Sequence, residues 1–227
     1  MEKCSFCQEL ENGLKAVNDS LYNKLYNVFG DKRIIKKTDS WAILPTIGCF
    51  IEGYILAVNK SHYTSLYSCD IFSRKEIETL MHDIQKAFNE LYGSRLICFE
   101  HGTISSSYSS CSIEHSHIHF LPIKKCIWFD FLREYNPTYY RINSLDELCS
   151  VVNSRRLPSY LFLKDADNQM YIISPDPVKY PSQFFRMYTL KQLNIDGDWN
   201  WKNDHYFENM WKTYITMSKY FSCSNME

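Results

Sequence analysis

Residues 114–122 read EHSHIHFLP, and this stretch determines the interpretation of the whole chain. Alternate side chains of a β-strand lie on one face, so a strand here places His115, His117 and His119 together and directs Ile118 to the packed face. Three histidines at alternate positions are uncommon in a chain of 227 residues with only seven histidines. The stretch therefore predicts a functional surface lined by imidazoles.

The triplet alone leaves three interpretations open. The histidines could form a polar sheet face with satisfied hydrogen bonds and no further function. They could instead bind a metal ion in a metal-dependent hydrolase, which would require an open site rich in carboxylates. The third interpretation is nucleophilic catalysis, because imidazole attacks well near neutral pH and is also a good leaving group.

Hydrophobic periodicity places the triplet within an antiparallel sheet that is flanked by helices. Apolar residues at helical spacing predict one helix over much of 8–29. A second helix is predicted over Ser73–Tyr92, where Ser73 and Glu76 form a capping pattern and Gly93 ends the helix. Strands are predicted at 34–38, 41–47, 53–58, 95–100 and 113–123.

The chain beyond Lys124 is predicted to form a separate C-terminal α/β extension. Its pattern indicates helices near 145–152, 183–193 and 206–220, and strands at 160–164 and 169–174. The predicted fold class is α+β, with an antiparallel sheet and flanking helices in a catalytic domain of residues 1–125. Residues 126–227 form the extension, to which the sequence assigns no role.

Composition excludes several classes of protein. Hydrophobic residues make up 45% of the chain and aromatic residues 16%, which predicts a folded protein. A net charge of −1 gives no broad surface for a nucleic acid polymer. No apolar run reaches the roughly 18 residues that span a membrane, and the N-terminus lacks the apolar core of a signal peptide. An odd number of cysteines, nine, suits a reducing compartment, so we expect a cytoplasmic protein.

The triplet, with two apolar residues after it, resembles the motif of the histidine-triad (HIT) superfamily of nucleotide hydrolases and nucleotidyltransferases. A strand that ends in Asn59-Lys60-Ser61-His62 earlier in the predicted five-strand unit adds to the likeness. The resemblance covers roughly residues 1–125. It implies a HIT-like antiparallel sheet and a nucleoside phosphate substrate, such as a dinucleoside polyphosphate, a nucleotide sugar or a phosphoramidate.

The resemblance also implies catalytic roles. His117, the middle histidine, corresponds to the nucleophile that becomes nucleotidylated, and His119 to the residue that holds a non-bridging phosphate oxygen. Ser112 would donate to the phosphate or to the leaving oxygen. The loop around Ser112 is longer than usual in the superfamily and lacks its common Gly-Gln pair. Ser116 stands where many members carry an apolar residue.

Three further residues are candidates for substrate binding. Glu100 and His101 end a predicted strand, where related proteins often place an amide that contacts ribose or phosphate; a surface strand end is the alternative. Arg186 could reach a phosphate, or it could lie exposed on an apolar-faced helix without any function. Lys191 and Lys202 are further cations of the extension that could bind the phosphate of an acceptor.

Cys4 and Cys7 form a CxxC pair that on its own is compatible with two unremarkable thiols. Zinc-bearing branches of the superfamily combine such a pair with histidines at the positions of His62 and His115. The resemblance therefore implies a closed Cys₂His₂ site with a structural Zn²⁺ as the cofactor. Without zinc, His115 would bond to backbone or solvent beside the nucleophile.

Two functions from different classes remain. The first is a HIT-type enzyme that passes the nucleotidyl group from His117 to water or to a second phosphate. The alternative is a non-catalytic nucleotide- or metal-binding protein that keeps the HIT fold. A nucleotide is the expected partner in both, without nucleic acid polymer or membrane. The family resemblance implies a homodimer unless the extension covers the usual interface.

Overall fold

The computed structural model describes residues 4–31, 33–104, 114–174 and 179–223. The described residues form α-helices around an eight-stranded sheet with the strand order β1-β2-β3-β5-β4-β7-β8-β6. All neighbouring strands pair in the antiparallel direction. The predicted α+β class with an antiparallel sheet and flanking helices is therefore confirmed.

The bounds of the elements follow the chain. The helices are α1 (Ser5–Asn12), α2 (Ser20–Phe29), α3 (Ile71–Tyr92), α4 (Ile127–Tyr135), α5 (Leu145–Arg155), α6 (Phe184–Gln192) and α7 (Phe207–Cys223). The strands are β1 (Lys36–Lys37), β2 (Trp41–Pro45), β3 (Ile55–Asn59), β4 (Arg95–Thr103), β5 (His117–Ile123), β6 (Tyr139–Ile142), β7 (Ser159–Lys164) and β8 (Met170–Ile173).

The strands after residue 125 continue the same sheet. β7 pairs with β4 in a register that runs from Cys98 opposite Lys164 to Thr103 opposite Ser159. β8 and β6 then add to the outer side of β7. The sheet is therefore continuous across the division predicted at residue 125. Without the extension, β4 would be an edge strand, and β7 pairs with that edge.

Helices cover both faces of this sheet, so strand alternation separates two apolar cores. One core packs α3 and α5 against side chains such as Phe120 and Phe162. The other packs α2, α4 and α6 against side chains such as Leu121 and Leu163. Residues one position apart on a strand thus lie in different cores. None of the described helices is both long and apolar enough to cross a bilayer.

Two helix boundaries differ from the prediction for physical reasons. The helix predicted within 8–29 is divided in two, because Gly13 takes a positive φ of 82° and Asp19 caps the start of α2 by accepting a bond from the backbone N–H of Leu21. α3 begins before Ser73, since Asp70 is its N-cap and accepts the Ser73 N–H at 2.8 Å. Gly93 ends α3 in the left-handed conformation, as predicted.

The region from 126 to 142 contains a helix and a strand, α4 and β6, that the sequence pattern did not predict. α4 buries Ile127, Trp128 and Phe131 completely among aromatic side chains of α6. β6 forms an edge with a mostly exposed or half-buried pattern. α4 carries its apolar residues at helical spacing but is only nine residues long, and β6 is a strand of four residues at the edge of the sheet, so each pattern is short.

Gly102 in β4 generates a testable prediction about this packing. A Cβ at Gly102 would lie 2.1 Å from Cζ of Tyr160, whose ring lies against the glycine. Gly102→Ala should therefore lower the free energy of unfolding by about 1–3 kcal/mol, as overpacking does. Chemical denaturation of wild type and variant measures the change.

Tyr160→Leu supplies the control for Gly102. The Tyr160→Leu protein lacks the ring, so adding Gly102→Ala to it should change the free energy of unfolding much less than in wild type. The double-mutant cycle isolates the contact between residue 102 and the ring. A Gly102→Ala protein as stable as wild type would show that the ring does not occupy this position.

Candidate functional site

A cavity of 340 Å³ lies on the face of the sheet that α2 and α6 cover. Its volume is in the range of about 300–1,000 Å³ found for small-molecule sites. Strands β4 and β5 contribute His101, His117 and His119 to its lining, and the first turn of α6 contributes Arg186. The cavity is therefore built from two histidines of the triplet and from the extension together.

His117 is oriented by the backbone two residues before it. Its Nδ1 lies 2.6 Å from the carbonyl oxygen of His115. A carbonyl only accepts, so Nδ1 carries the proton and Nε2 keeps its lone pair. Burial lowers the pKa of His117 below its usual value, opposed by the bond to the His115 carbonyl. The cavity is thus lined by a neutral imidazole with one unprotonated nitrogen.

His119, the next histidine of β5 to line the cavity, is held between aromatic residues that the sequence analysis did not select. Its ring stacks on Phe99 with centroids 4.4 Å apart, and its Nδ1 lies 2.7 Å from the hydroxyl of Tyr54. Burial lowers the pKa of His119 well below its usual value, and His117 and Arg186 add to this shift. Neither Phe99 nor Tyr54 stands out in the sequence, since each is an ordinary strand residue.

His101 and Glu100 are neighbours in β4 but lie on opposite faces of the sheet. His101 lines the cavity, and burial, followed by the effect of His117, lowers its pKa to about 4. Glu100 is not part of the cavity lining. Its carboxylate accepts bonds from the Leu66 N–H at 2.8 Å and from the Tyr160 hydroxyl at 2.5 Å. The prediction that Glu100 contacts the substrate is corrected by this placement, because the pleat turns its side chain into the other core.

The predicted residues Cys4, Cys7, His62 and His115 come together at the N-terminus of α1. Their ligand atoms all lie within 4.8 Å of one another, and they form a group that could hold a metal ion. His115 is buried, and its Nε2 lies 2.7 Å from the carbonyl of Asn59. That carbonyl accepts a hydrogen bond from the Nε2–H group, so the proton of the neutral ring is on Nε2. Nδ1 of His115 is then unprotonated and lies toward the cluster.

The three histidines of the triplet do not form one ligand set. His115 precedes β5 and belongs to the cysteine cluster, whereas His117 and His119 line the cavity. Phe6 connects the two regions, since its ring centroid lies 5.6 Å from those of both His115 and His117. Among the residues that the structure describes, no cluster of metal ligands contains His117 or His119. This arrangement disfavours the metal-dependent hydrolase.

Arg186 is buried in the extension, with 3% of its surface exposed. It donates to the carbonyls of Trp199 at 3.0 Å and Gly48 at 2.6 Å, and to the hydroxyl of Tyr54 at 3.2 Å. The alternative of an exposed arginine without function is thereby corrected. Arg186 also lines the cavity, so its role in substrate binding stays a prediction.

The remaining candidates differ in position. Lys202 lines the cavity together with Trp201, whereas Lys191 does not belong to the lining. Ser112 lies in the segment 105–113, outside the described residues, so its role stays a prediction. Ser116 is buried, and its hydroxyl lies 3.5 Å from the Cys69 sulfur on the side away from the cavity.

No protein-family model and no curated protein sequence matches the chain. Among solved structures, a HIT family protein from Bacillus anthracis is similar at 13% identity and a TM-score of 0.39, over 55% of this chain and 75% of that one. A Zn-bound histidine triad family protein from Mycobacterium smegmatis is similar at 17% identity and a TM-score of 0.35, over 45% of this chain and 75% of that one.

A third solved structure extends over more of the chain. Yeast Ap4A phosphorylase Apa2 in complex with AMP is similar at 12% identity and a TM-score of 0.42, over 80% of this chain and 74% of that one. Histidine-triad proteins are thus among the solved structures that this chain resembles.

The buried Glu100 generates a prediction about pH and stability. Burial raises its pKa to about 7, opposed by the bonds from Tyr160, Leu66 and Ser116. An unfolded glutamate titrates near 4.3, so the folded protein binds the proton more tightly and this stability is lost as the pH rises through about 7. Relative to Glu100→Gln, wild type should lose up to about 3 kcal/mol of unfolding free energy between pH 4.5 and pH 8.

The measurement is the difference between the two proteins in denaturant unfolding at several pH values. The effects of other titrating groups on the unfolding free energy cancel in this difference. A hydrogen bond that the uncharged amide of the variant alters changes the difference by the same amount at every pH. A difference that does not change with pH would mean that Glu100 is already ionised in the folded protein at acidic pH.

Proposed function

We propose that this protein is a HIT-type nucleotide hydrolase or nucleotidyltransferase that works through a nucleotidyl-His117 intermediate. The observation that carries the proposal is the bond from Nδ1 of His117 to the His115 carbonyl at 2.6 Å. That bond gives Nε2 a lone pair in a ring that lines the cavity.

In the first step, Nε2 of His117 attacks the phosphorus of a nucleoside phosphate. A P–N bond to the ring forms, and the bond from phosphorus to the leaving group breaks. That bond is P–O in a polyphosphate or nucleotide sugar, whose oxygen departs with the electron pair, and P–N in a phosphoramidate, whose nitrogen departs with the electron pair and takes up a proton. His119 supports this step by donating a hydrogen bond to a non-bridging oxygen, where negative charge is concentrated. Ser112 would donate to the same phosphate or to the leaving oxygen.

In the second step, water or the phosphate of an acceptor attacks the same phosphorus. The P–N bond breaks, its electron pair returns to Nε2, and a nucleoside monophosphate or a new phosphoanhydride is released. An imidazole suits both steps because it is a good nucleophile and a good leaving group. Cavity residues from the extension, including Lys202, are consistent with an acceptor that binds beside the nucleophile.

The lining of the cavity suits the two parts of a nucleoside phosphate. Apolar side chains of Phe6, Leu21 and Leu56 could contact the base, while the histidines of β4 and β5 lie where the phosphate would react. A dinucleoside polyphosphate, a nucleotide sugar and a nucleoside phosphoramidate all carry a leaving group on the nucleotide phosphorus. We propose this class of donor, with no preference for one base.

We also propose that Cys4, Cys7, His62 and His115 bind a structural Zn²⁺. Tetrahedral zinc with bonds of about 2.0 Å to nitrogen and 2.3 Å to sulfur places neighbouring ligand atoms roughly 3.3–3.8 Å apart. Here the two Nδ1 atoms are 3.2 Å apart, Cys4 Sγ lies 3.5 Å from His115 Nδ1, and Cys7 Sγ lies 3.3 Å from His62 Nδ1. Four protein ligands form a closed site, which anchors α1 and braces His115.

His117→Ala tests the covalent mechanism. It should lower turnover of the best donor by at least about 10⁴-fold, as loss of a nucleophile does, because the nucleophile acts mainly in the transition state. Affinity for AMP, measured by calorimetry, should change by less than about fivefold, since the cavity remains. Wild type incubated with donors labelled on the nucleotide phosphorus should carry one label, on His117.

His82→Ala is the matched control, because His82 lies on the exposed side of α3, and this variant should keep wild-type turnover. Full turnover by His117→Ala would refute the covalent mechanism. Tight AMP binding by wild type without label or turnover for any donor would favour the non-catalytic binding protein. Label that accumulates and discharges only with an acceptor phosphate would identify a transferase, whereas rapid discharge to water identifies a hydrolase.

Replacement of Cys4 and Cys7 by Ser tests the metal site. Wild type should contain about one zinc per chain, and the double variant should contain none. Loss of a closed site should remove about 3 kcal/mol or more of stability, which corresponds to a fall in Tm of roughly 10 °C for a domain of this size. Elemental analysis and thermal unfolding are the measurements.

Cys126→Ser with Cys223→Ser is the matched control, because it also removes two thiols and neither belongs to the cluster. It should keep its zinc and its Tm. Wild type without stoichiometric zinc, with a Tm that the Cys4 and Cys7 substitutions do not change, would contradict the proposed site.

A further inference from the structure

We infer that Tyr54 and Arg186 are positioning residues that fix His119 in the tautomer with its proton on Nε2, so that His119 presents an N–H donor to the cavity. The inference deepens the proposed function and rests on it for the catalytic role of His119. The assignment of the tautomer itself depends only on the contacts of three described side chains.

Arg186 fixes the position of the Tyr54 hydroxyl. Its guanidinium is buried and bonds to the carbonyls of Gly48 and Trp199, which hold it on both sides. From this position Nη1 donates to the Tyr54 hydroxyl at 3.2 Å. A Cβ on Gly48 would lie 2.4 Å from Nη2, so the glycine permits this close approach. The position of the Arg186 guanidinium is therefore fixed by these hydrogen bonds and by its close packing against Gly48.

The direction of the next bond follows from the inventory of donors. A guanidinium cannot accept, so the Tyr54 oxygen accepts from Arg186 and retains one proton to donate. Within the described part of the chain, the acceptor that this hydroxyl contacts is His119 Nδ1, at 2.7 Å. Tyr54 therefore donates to Nδ1, which must be unprotonated. The cation beside the oxygen strengthens that donor.

His119 then has one remaining place for its proton. Its ring is neutral, because burial lowers its pKa and the nearby Arg186 adds to this effect. A neutral imidazole carries one proton, so with Nδ1 accepting from Tyr54 the proton is on Nε2. Stacking on Phe99, at an interplanar angle of 10°, fixes the plane of the ring. Both the tautomer and the orientation of His119 are thus determined by the surrounding side chains.

The tautomer matters because a phosphate oxygen can only accept. A His119 ring with the proton on Nδ1 would present a lone pair to the anionic oxygen and repel it. The two hydrogen bonds from Arg186 to Tyr54 and from Tyr54 to His119 prevent that state before any substrate binds. The N–H donor is therefore preorganised toward the charge that develops on the phosphate oxygen. The extension thereby contributes to the chemistry through Arg186, which lies in α6.

Nitrogen-15 NMR of histidine-labelled protein tests the tautomer directly. In wild type, the long-range correlations of His119 should show an unprotonated Nδ1 and a protonated Nε2. Tyr54→Phe removes only the hydroxyl and should shift the Nδ1 resonance and introduce the other tautomer. Arg186→Gln should change the same resonances, and Tyr54→Phe remains decisive if the buried Arg186→Gln protein fails to fold.

Tyr92→Phe is the matched control, because the Tyr92 hydroxyl is buried on α3 and the residue does not line the cavity. Its His119 resonances should equal those of wild type. A protonated Nδ1 in wild type would overturn the inference. Identical His119 resonances in wild type and Tyr54→Phe would overturn it as well.

A kinetic measurement tests the consequence for catalysis. Tyr54→Phe should lower the rate of labelling of His117 by about 10–100-fold, somewhat less than loss of a whole donor. Its AMP affinity should change less than about threefold, and Tyr92→Phe should label at the wild-type rate. A wild-type rate for Tyr54→Phe would overturn the positioning role. If wild type is never labelled, the proposed function fails while the NMR result still decides the tautomer.

Discussion

The bond from the His117 ring to the carbonyl of His115 is the interaction on which the site depends. His115 engages its surroundings in three ways at once. Its Nδ1 belongs to the cysteine cluster, its Nε2 donates to Asn59, and its carbonyl accepts from His117. A shift of the His115 backbone would therefore move the proposed nucleophile. The proposed zinc would act on the chemistry through this backbone connection, without contacting the substrate.

The pleat of β4 and β5 then distributes the functional side chains. Residues His117 and His119 lie on the face that carries the cavity, together with His101 of the neighbouring strand. Glu100, one position away, lies in the opposite core. The α6 segment closes the same face and brings Arg186 to Tyr54. The sheet thus separates the face that carries the cavity from the opposite core. The extension contributes α4 and α6 to the first face and α5 to the second.

Sequence patterns predicted the parts of this arrangement that depend on local regularity. The alternation around His117 identified β5, and apolar spacing identified α3 to within two residues at its start. Four candidate metal ligands were predicted from the resemblance to zinc-bearing branches of the HIT superfamily, although Cys4 and His115 are 111 positions apart. The CxxC pair alone did not distinguish a metal site from two ordinary thiols.

Contacts between ordinary residues could not be predicted in this way. Arg186 meets Tyr54 across 132 positions, and neither residue type nor local spacing indicates that pairing. The assignment of Glu100 required the strand register, because a change of one residue turns a side chain to the other face. α4 was missed because it is only nine residues long, although its apolar residues recur at helical spacing and pack against α6.

The stereochemical course at phosphorus tests the central claim most directly. A donor with a chiral thiophosphate at the nucleotide phosphorus would be turned over in isotopically labelled water, or with an acceptor phosphate, and the configuration of the product determined. Two successive in-line displacements, through nucleotidyl-His117, each invert the phosphorus and predict overall retention. Overall inversion would show a single direct displacement, and it would contradict a covalent intermediate on His117.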